Sequence, residues 1–161
     1  MVKPAYSAAV LTVSDSAHRG ARRDLSGPAV AGALGEHGFE VVANAVAPDE
    51  RAAIERELVR LCEQARLVVT TGGTGIAERD VTPEATLAVC ERVLPGVAER
   101  MRSAGARKTP LAALSRALCG VRGRSLVLNL PGSPAGAVES LAAVIGVLPH
   151  ALELLEGKTQ H

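Results

Sequence analysis

Aromatic side chains are almost missing from this chain of 161 residues, which has one Tyr (Tyr6), one Phe (Phe39) and no Trp. Proteins that hold single-stranded nucleic acid stack its bases on such rings, and none are available here. The formal net charge of +1 supplies no field to draw in nucleic acid or an anionic membrane surface. Neither is an expected partner. Cysteine is also scarce: Cys62, Cys90 and Cys119 are isolated, with no C-x-x-C pair. An odd, scattered set argues against a disulfide framework or a zinc site and fits a reducing compartment, with each thiol acting as a small buried hydrophobe. Histidines 18, 37, 150 and 161 show no ligand spacing. The longest apolar run, Leu141–Pro149, is far too short to span a bilayer. Met1-Val2-Lys3-Pro4 leads straight into a strand pattern, so no signal peptide is expected. These exclusions leave a cytoplasmic, soluble protein with residues 1–161 as a single domain, long enough to bury roughly two-thirds of its unfolded surface.

The chain alternates strand and helix signals. Ala8–Ser14 is a continuous apolar run, as in a parallel strand buried on both faces, and Leu67–Thr71 is a short apolar run bounded by turn residues; Phe39–Ala45 and Ser125–Leu130 read as further strands. Between them, Ser26-Gly27-Pro28 opens a helix that ends near Gly38, and Pro48-Asp49-Glu50 opens one with Ile54, Leu58 and Leu61 at helical spacing. Thr82 and Pro83, as N-cap and first helical residue, open a third that runs to Arg92. A short helix is expected over Gly96–Ala104, and a buried one from about Ala135 that is apolar nearly all round. Ser115–Val121 fits either a helix or a strand antiparallel to Ser125–Leu130, and the turn at Arg122-Gly123 favours the hairpin. Residues 156–161 should fray. The alternation predicts a three-layer α/β/α sandwich with a mostly parallel sheet.

The chemistry concentrates in Leu67–Pro83. There a strand breaks into Gly72-Gly73-Thr74-Gly75 and continues through Arg79-Asp80 into a helix start. Two better-known glycine motifs are absent. A dinucleotide fingerprint starting at Gly73 would need Gly or Ala where Glu78 stands, and a Walker A loop ending at Gly157-Lys158-Thr159 would need Gly where Leu152 stands. The stretch fits an anion site made of backbone amides, and it fits an ordinary tight turn equally well. Post-strand loops of a parallel sheet share one edge, which is where such folds bind ligands. That edge collects Ser14-Asp15 with Gly20, Pro48-Asp49-Glu50, Thr71–Gly75 with Asp80, and Asn129–Pro134. Asp15, Asp49 and Asp80 would repel phosphate unless a cation lies between, and Mg²⁺ is the cation that joins one or two carboxylates to substrate phosphates. The set points to Mg²⁺-dependent phosphoryl or nucleotidyl transfer. Plainer roles stand beside this: Asp49 as a helix cap, Asp80 paired with Arg79 or capping the turn, and Asp24 capping the first long helix. Arg100, Arg102, Arg107 and Lys108 would form a solvated basic face, and Pro131–Pro134 a strand terminator.

Taken in order, these motifs resemble the molybdopterin adenylyltransferase family, the MogA/MoaB type of molybdenum-cofactor biosynthesis protein. The resemblance rests on Thr12-Val13-Ser14-Asp15 with Gly20, Asp24-x-Ser26-Gly27, Pro48-Asp49-Glu50 and Thr71-Gly72-Gly73-Thr74-Gly75-x-x-x-Arg79-Asp80-Val81-Thr82-Pro83. It continues through Leu94-Pro95-Gly96, Ser115-Arg116 and Asn129–Pro134, so it covers nearly the whole chain. Gephyrin-like, MoeA and CinA proteins share parts of these motifs. The resemblance implies an α/β/α sandwich that assembles as a homotrimer or homohexamer. It also implies transfer of AMP from ATP to the terminal phosphate of molybdopterin, with Mg²⁺ and loss of pyrophosphate. By the same resemblance, Asp49 and Asp80 are the essential acidic positions, holding metal and reacting phosphates. Ser14, Asp15, Gly20, Thr71, Gly72, Gly73, Thr74 and Gly75 line the substrate pocket, with Pro131, Gly132 and Ser133 as its other wall. Ser16 stands where many members carry Arg, which leaves open whether His18 or Arg19 grips a phosphate there. Molybdate insertion would fall to a separate protein. A non-catalytic molybdopterin carrier of the same pathway is the alternative, and a flavodoxin-like redox domain fits the fold but not the aspartates.

Overall fold

A computed structural model describes residues 5–158; Met1-Val2-Lys3-Pro4 and residues 159–161 lie outside them. Of the 156–161 stretch expected to fray, residues 156–158 are instead held by amide bonds to the Leu152, Leu154 and Glu153 carbonyls, and Glu156 pairs with Arg66. Four apolar runs become parallel strands: β1 (Ser7–Val13), β2 (Glu40–Ala47), β3 (Leu67–Thr71) and β6 (Ser125–Leu130). Two shorter strands, β4 (Arg92–Val93) and β5 (Cys119–Arg122), extend the sheet antiparallel, giving the order β2-β1-β3-β6-β5-β4. Alternate residues of each central strand feed opposite cores. Ala8, Val10, Leu67, Val69, Leu126 and Leu128 pack with the helices α2 (Ser26–Glu36), α5 (Pro95–Ala106), α6 (Pro134–Val144) and α7 (Leu148–Leu155). Ala9, Leu11, Val68 and Val127 pack with α3 (Arg51–Gln64) and α4 (Thr82–Val89). Both faces are covered, which is why these strands are apolar without alternation. The three-layer α/β/α architecture is the one expected.

Several local expectations need correction. Ser14 does not end β1; it caps a one-turn helix, α1 (Asp15–His18), by accepting from the Ala17 amide. Thr82 lies inside α4 rather than capping it, because its hydroxyl donates to the Gly72 carbonyl (3.0 Å). The same helix stops at Val89, since the chain must turn to pair β4 with β5. Strand β5 begins at Cys119, not Ser115, because the preceding residues are tied elsewhere: the Arg116 amide donates to Thr74 and the Leu118 amide to the Asn129 side chain. The stretch from Pro134 forms two helices with a bend of 62° between them, and α6 is buried on one face only; its small residues Gly136, Ala142 and Ala143 border a cavity. Of the expected basic face, Arg100, Arg107 and Lys108 are exposed, and three of the four residues also brace the fold. Arg100 donates to Ala143 O, Arg102 to Ala117 O, and Lys108 pairs with Glu139. Among the described residues no single helix is long and apolar enough to cross a membrane.

Among the buried polar residues of the central sheet, Asn129 carries the widest network. Asn129 is fully buried; its amide group donates to the Thr70 and Thr86 hydroxyls, and its Oδ1 accepts from Leu118 N. These bonds join β3, β6, α4 and the approach to β5. Truncation would leave buried donors and acceptors without partners. Asn129→Ala is expected to lower the unfolding free energy by about 2–3 kcal/mol in urea titration, and a change under about 0.5 kcal/mol would show the network to be dispensable.

Candidate active site

The strand order places the site. From β1 the chain moves out to β2, then crosses back over α3 to β3 on the other side of β1. The carboxyl ends of β1 and β3 are therefore neighbours, where helices leave toward opposite faces. Such a reversal opens a crevice at the sheet edge.

Three aspartates gather there, from the loops after β1, β2 and β3, but not as equals. Asp15 and Asp49 are locked reciprocally: the Asp15 amide donates to Asp49 Oδ2 and the Asp49 amide to Asp15 Oδ1, both at 3.0 Å. Arg79 forks onto Asp15, with Nε at 2.6 Å from Oδ2 and a terminal nitrogen at 2.9 Å from Oδ1. That guanidinium, aided by the Asp49 amide and against burial, holds the Asp15 carboxyl down at about 2. Arg79 thus pairs with Asp15 and not with its neighbour Asp80. Asp49 caps no helix, since the N-cap of α3 is Glu50, which makes no side-chain cap bond. Burial raises its carboxyl above the ordinary value, and the charges of Asp15 and Asp80 add to the rise, while the Asp15 amide opposes it. Asp80 accepts the Ala77 amide on Oδ2 (3.0 Å) and is close enough to act on Asp49.

The glycine turn fits around these carboxylates. Gly73 has φ +69°, and a Cβ there would collide with the Thr82 hydroxyl and come within 3.2 Å of Asp49 Oδ1. Glycine is required for the backbone to pass so close to the acid. Thr71 and Thr74 are buried, with the Thr71 hydroxyl 2.8 Å from that of Ser26. Ser133 caps α6 by accepting from Gly136 N.

Two cavities flank the loop at 131–134. The first, about 410 Å³, is lined by Ser14, Thr71, Gly132 and Ser133 from the expected set, together with Thr12, Arg22, Arg23, Asp24 and Ser26. The second, about 710 Å³ and mostly apolar, runs from Gly75, Pro131 and Ser133 along α5 and α6. Asp49 and Asp80 line neither; they stand on the open edge beside them. Gly20 also lines neither and serves as the positive-φ turn that ends α1. Exposed His18 and Arg19 lie outside both cavities, while Ser16 shares a 3.2 Å hydroxyl contact with Ser14. The cations in the first cavity are Arg22 and Arg23, which the sequence signals only as charges in a loop at the binding edge. Asp24 acts as a cap, accepting from Gly27 N, and also accepts from the Thr12 hydroxyl.

The donors present suit a hard dication shared with a ligand. Among the described residues, no group of three His, Cys, Asp or Glu side chains could hold a metal on its own. Among the described residues Asp49 and Asp80 have no ion-pair partner, and each accepts a single amide on Oδ2. Two carboxylates with free lone pairs beside a glycine turn match the way Mg²⁺ takes one or two protein carboxylates plus substrate phosphates. The cysteines take no part: burial raises all three thiols, Cys62 and Cys119 to about 12 and Cys90 to about 11.

The fold and loop cluster belong to a recognised class. Residues 9–150 match the family described as "Probable molybdopterin binding domain", and the chain belongs to that family. A relative from Helicobacter pylori strain J99, named molybdopterin adenylyltransferase, is 45% identical over 157 residues, covering 92% of this chain and 86% of its own length. The Escherichia coli K12 protein of the same name is 39% identical over 165 residues, covering 92% and 84%. The crystal structure of the molybdopterin biosynthesis enzyme MoaB from Thermus thermophilus superposes with a TM-score of 0.89 at 52% identity, covering 94% of this chain and 97% of that one.

Two measurements test the electrostatics. A carboxyl whose folded pKa is depressed stabilises the protein above its unfolded value, and that contribution fades as the pH falls through the folded one. For Asp15 the window runs from the ordinary 3.8 down to about 2. Arg79→Met should therefore unfold at lower urea than the native chain at about pH 5, with the gap narrowing toward about pH 2.5; a gap independent of pH would remove the ion pair as its cause. Asp49 has the opposite sign, because ionising a raised carboxyl costs stability as the pH climbs past its unfolded value. Asp49→Asn should melt higher than native at about pH 7 and alike at about pH 3; a lower melting point at neutral pH would contradict the burial argument.

Proposed function

We propose that this chain is a molybdopterin adenylyltransferase of molybdenum-cofactor biosynthesis, transferring AMP from ATP to the terminal phosphate of molybdopterin. An oxygen of the pterin phosphate attacks the α-phosphorus of ATP, the α–β bridging P–O bond breaks, and pyrophosphate leaves. The observation that carries this reading is the half-buried Asp49, held by the Asp15 amide against Gly73 and raised further by the charge of Asp80. A pure binding module gains nothing from ionised carboxylates confined together. Asp49 and Asp80 would hold Mg²⁺, which, when bound, neutralises charge on the reacting phosphates. The amides at Gly73, Thr74 and Gly75 would orient phosphate oxygens without adding charge, the Gly72 amide being bonded to the Leu130 carbonyl. Ser14, Thr71 and Ser133 present hydroxyls to the first cavity, where Arg22 and Arg23 add positive charge. The Arg79–Asp15 fork removes one of the three negative charges that would otherwise repel a polyphosphate.

The same proposal takes residues 1–161 as one unit working in the cytoplasm, which three free, raised thiols suit. It includes assembly as a trimer or hexamer, for which the exposed Val42 and Val46 of β2 and Leu111 after α5 offer apolar surface. It also includes passage of the product to a separate protein that inserts molybdate.

A chromatographic assay for adenylylated pterin, with molybdopterin, ATP and Mg²⁺, tests the reading. Native protein should form product, and Asp49→Ala and Asp80→Ala should each reduce turnover by about 10²-fold or more. Normal turnover by Asp80→Ala would remove its assigned role. Tight pterin binding by native protein without product would make the chain a carrier.

A further inference from the structure

Arg116 lies between the 3-10 turn Pro110–Leu114 and β5, and lines neither cavity. All of its donors point to one place. Its amide donates to Thr74 O (2.8 Å), its Nε to Gly75 O (2.8 Å), and one terminal nitrogen to Asp80 O (2.7 Å). The other terminal nitrogen pairs with the carboxylate of Glu84 in the first turn of α4. A single side chain thus grips both ends of the segment 75–80 and ties them to the helix that follows.

Apart from Arg79, whose side chain forks onto Asp15, little else holds that segment. Ile76, Ala77, Glu78 and Arg79 are exposed, and none belongs to either core. Within it, Asp80 N donates to Ala77 O and Ala77 N to Asp80 Oδ2. A Cβ on Gly75 would lie 2.8 Å from Asp80 Oδ2, so the acid is folded back over its own loop. Its placement depends on the distance between residues 75 and 80, and Arg116 sets that distance.

We propose that Arg116 is the positioning residue for Asp80, fixing the carboxylate by closing the loop that carries it. This rests on the proposed adenylyl transfer for its kinetic consequence, but not for its structural one. The planar fork is essential, because a lysine ammonium cannot span two carbonyls and a carboxylate in that arrangement. Displacing a reacting group's support by about 1 Å can cost about 10²-fold in rate.

The test uses the full chain carrying Arg116→Gln, Arg116→Lys or Glu84→Gln. Amide hydrogen exchange is followed across residues 74–82 without substrate, alongside kcat, KM and melting temperature. In Arg116→Gln, exchange across 74–82 should quicken by about 10-fold or more. Its kcat should fall by about 10²-fold, while KM for the pterin stays within about threefold of native. Arg116→Lys should lie between it and native. Glu84→Gln keeps both carbonyl bonds, so its exchange and kcat should stay within about threefold of native. Native exchange across 74–82 in Arg116→Gln overturns the proposal, as does faster exchange with native kcat. If the Gln variant does not fold, Arg116→Lys is judged by the same two criteria. Absence of product from native protein would refute adenylyl transfer, and the exchange measurement would still decide whether Arg116 holds the loop.

Discussion

Everything at the site depends on β1 and β3 lying side by side in parallel. Their pairing, Ala8 with Leu67 through Thr12 with Thr71, brings residues nearly sixty positions apart to the same edge. It also sends the following helices to opposite faces, which opens the crevice between them. The buried apolar residues of both strands secure that register, since a one-residue slip would exchange the two cores. The aspartates then need only short reaches to meet: Asp15 leaves β1, Asp49 leaves β2, and each binds the other's backbone.

The cluster is arranged so that charge is cancelled at one carboxylate and left in place at the others. Asp15 is matched by Arg79 and held ionised, while Asp49 is kept partly dry with like charges nearby. Separating the environments of neighbouring acids in this way is a common means of assigning them different duties. It is also a stability sacrifice of the kind concentrated at functional sites.

Much of this was legible in the chain. The parallel strands are visible as short apolar runs, and the rule that ligands bind at their carboxyl ends selects Asp15, Asp49 and Asp80 from the sequence alone. What was hidden depended on contacts between distant residues. Arg79 looked like the partner of adjacent Asp80, yet its fork reaches back 64 positions to Asp15. Arg116 matched a motif without a stated purpose, because its acceptors lie 32 to 41 positions earlier. Strand β4, only two residues long, has no periodicity to detect. The one-turn helix α1, which leads into the Arg22-Arg23 corner, arises from a serine cap too local for a hydrophobic pattern to register. Thr82 carried a cap signature but spends its hydroxyl on the glycine turn instead.

The reciprocal bonds between Asp15 and Asp49 have a bearing on how this chain can change length. Each residue measures the other's main chain, so the connections leaving β1 and β2 are gauged against one another at their first residues. An insertion immediately after Val13 or Ala47 would break both bonds at once. By contrast, the exposed stretch from Arg19 to Arg23 follows α1, beyond that gauge. A change of length there would leave both junctions intact, but it would move Arg22 and Arg23 relative to the first cavity.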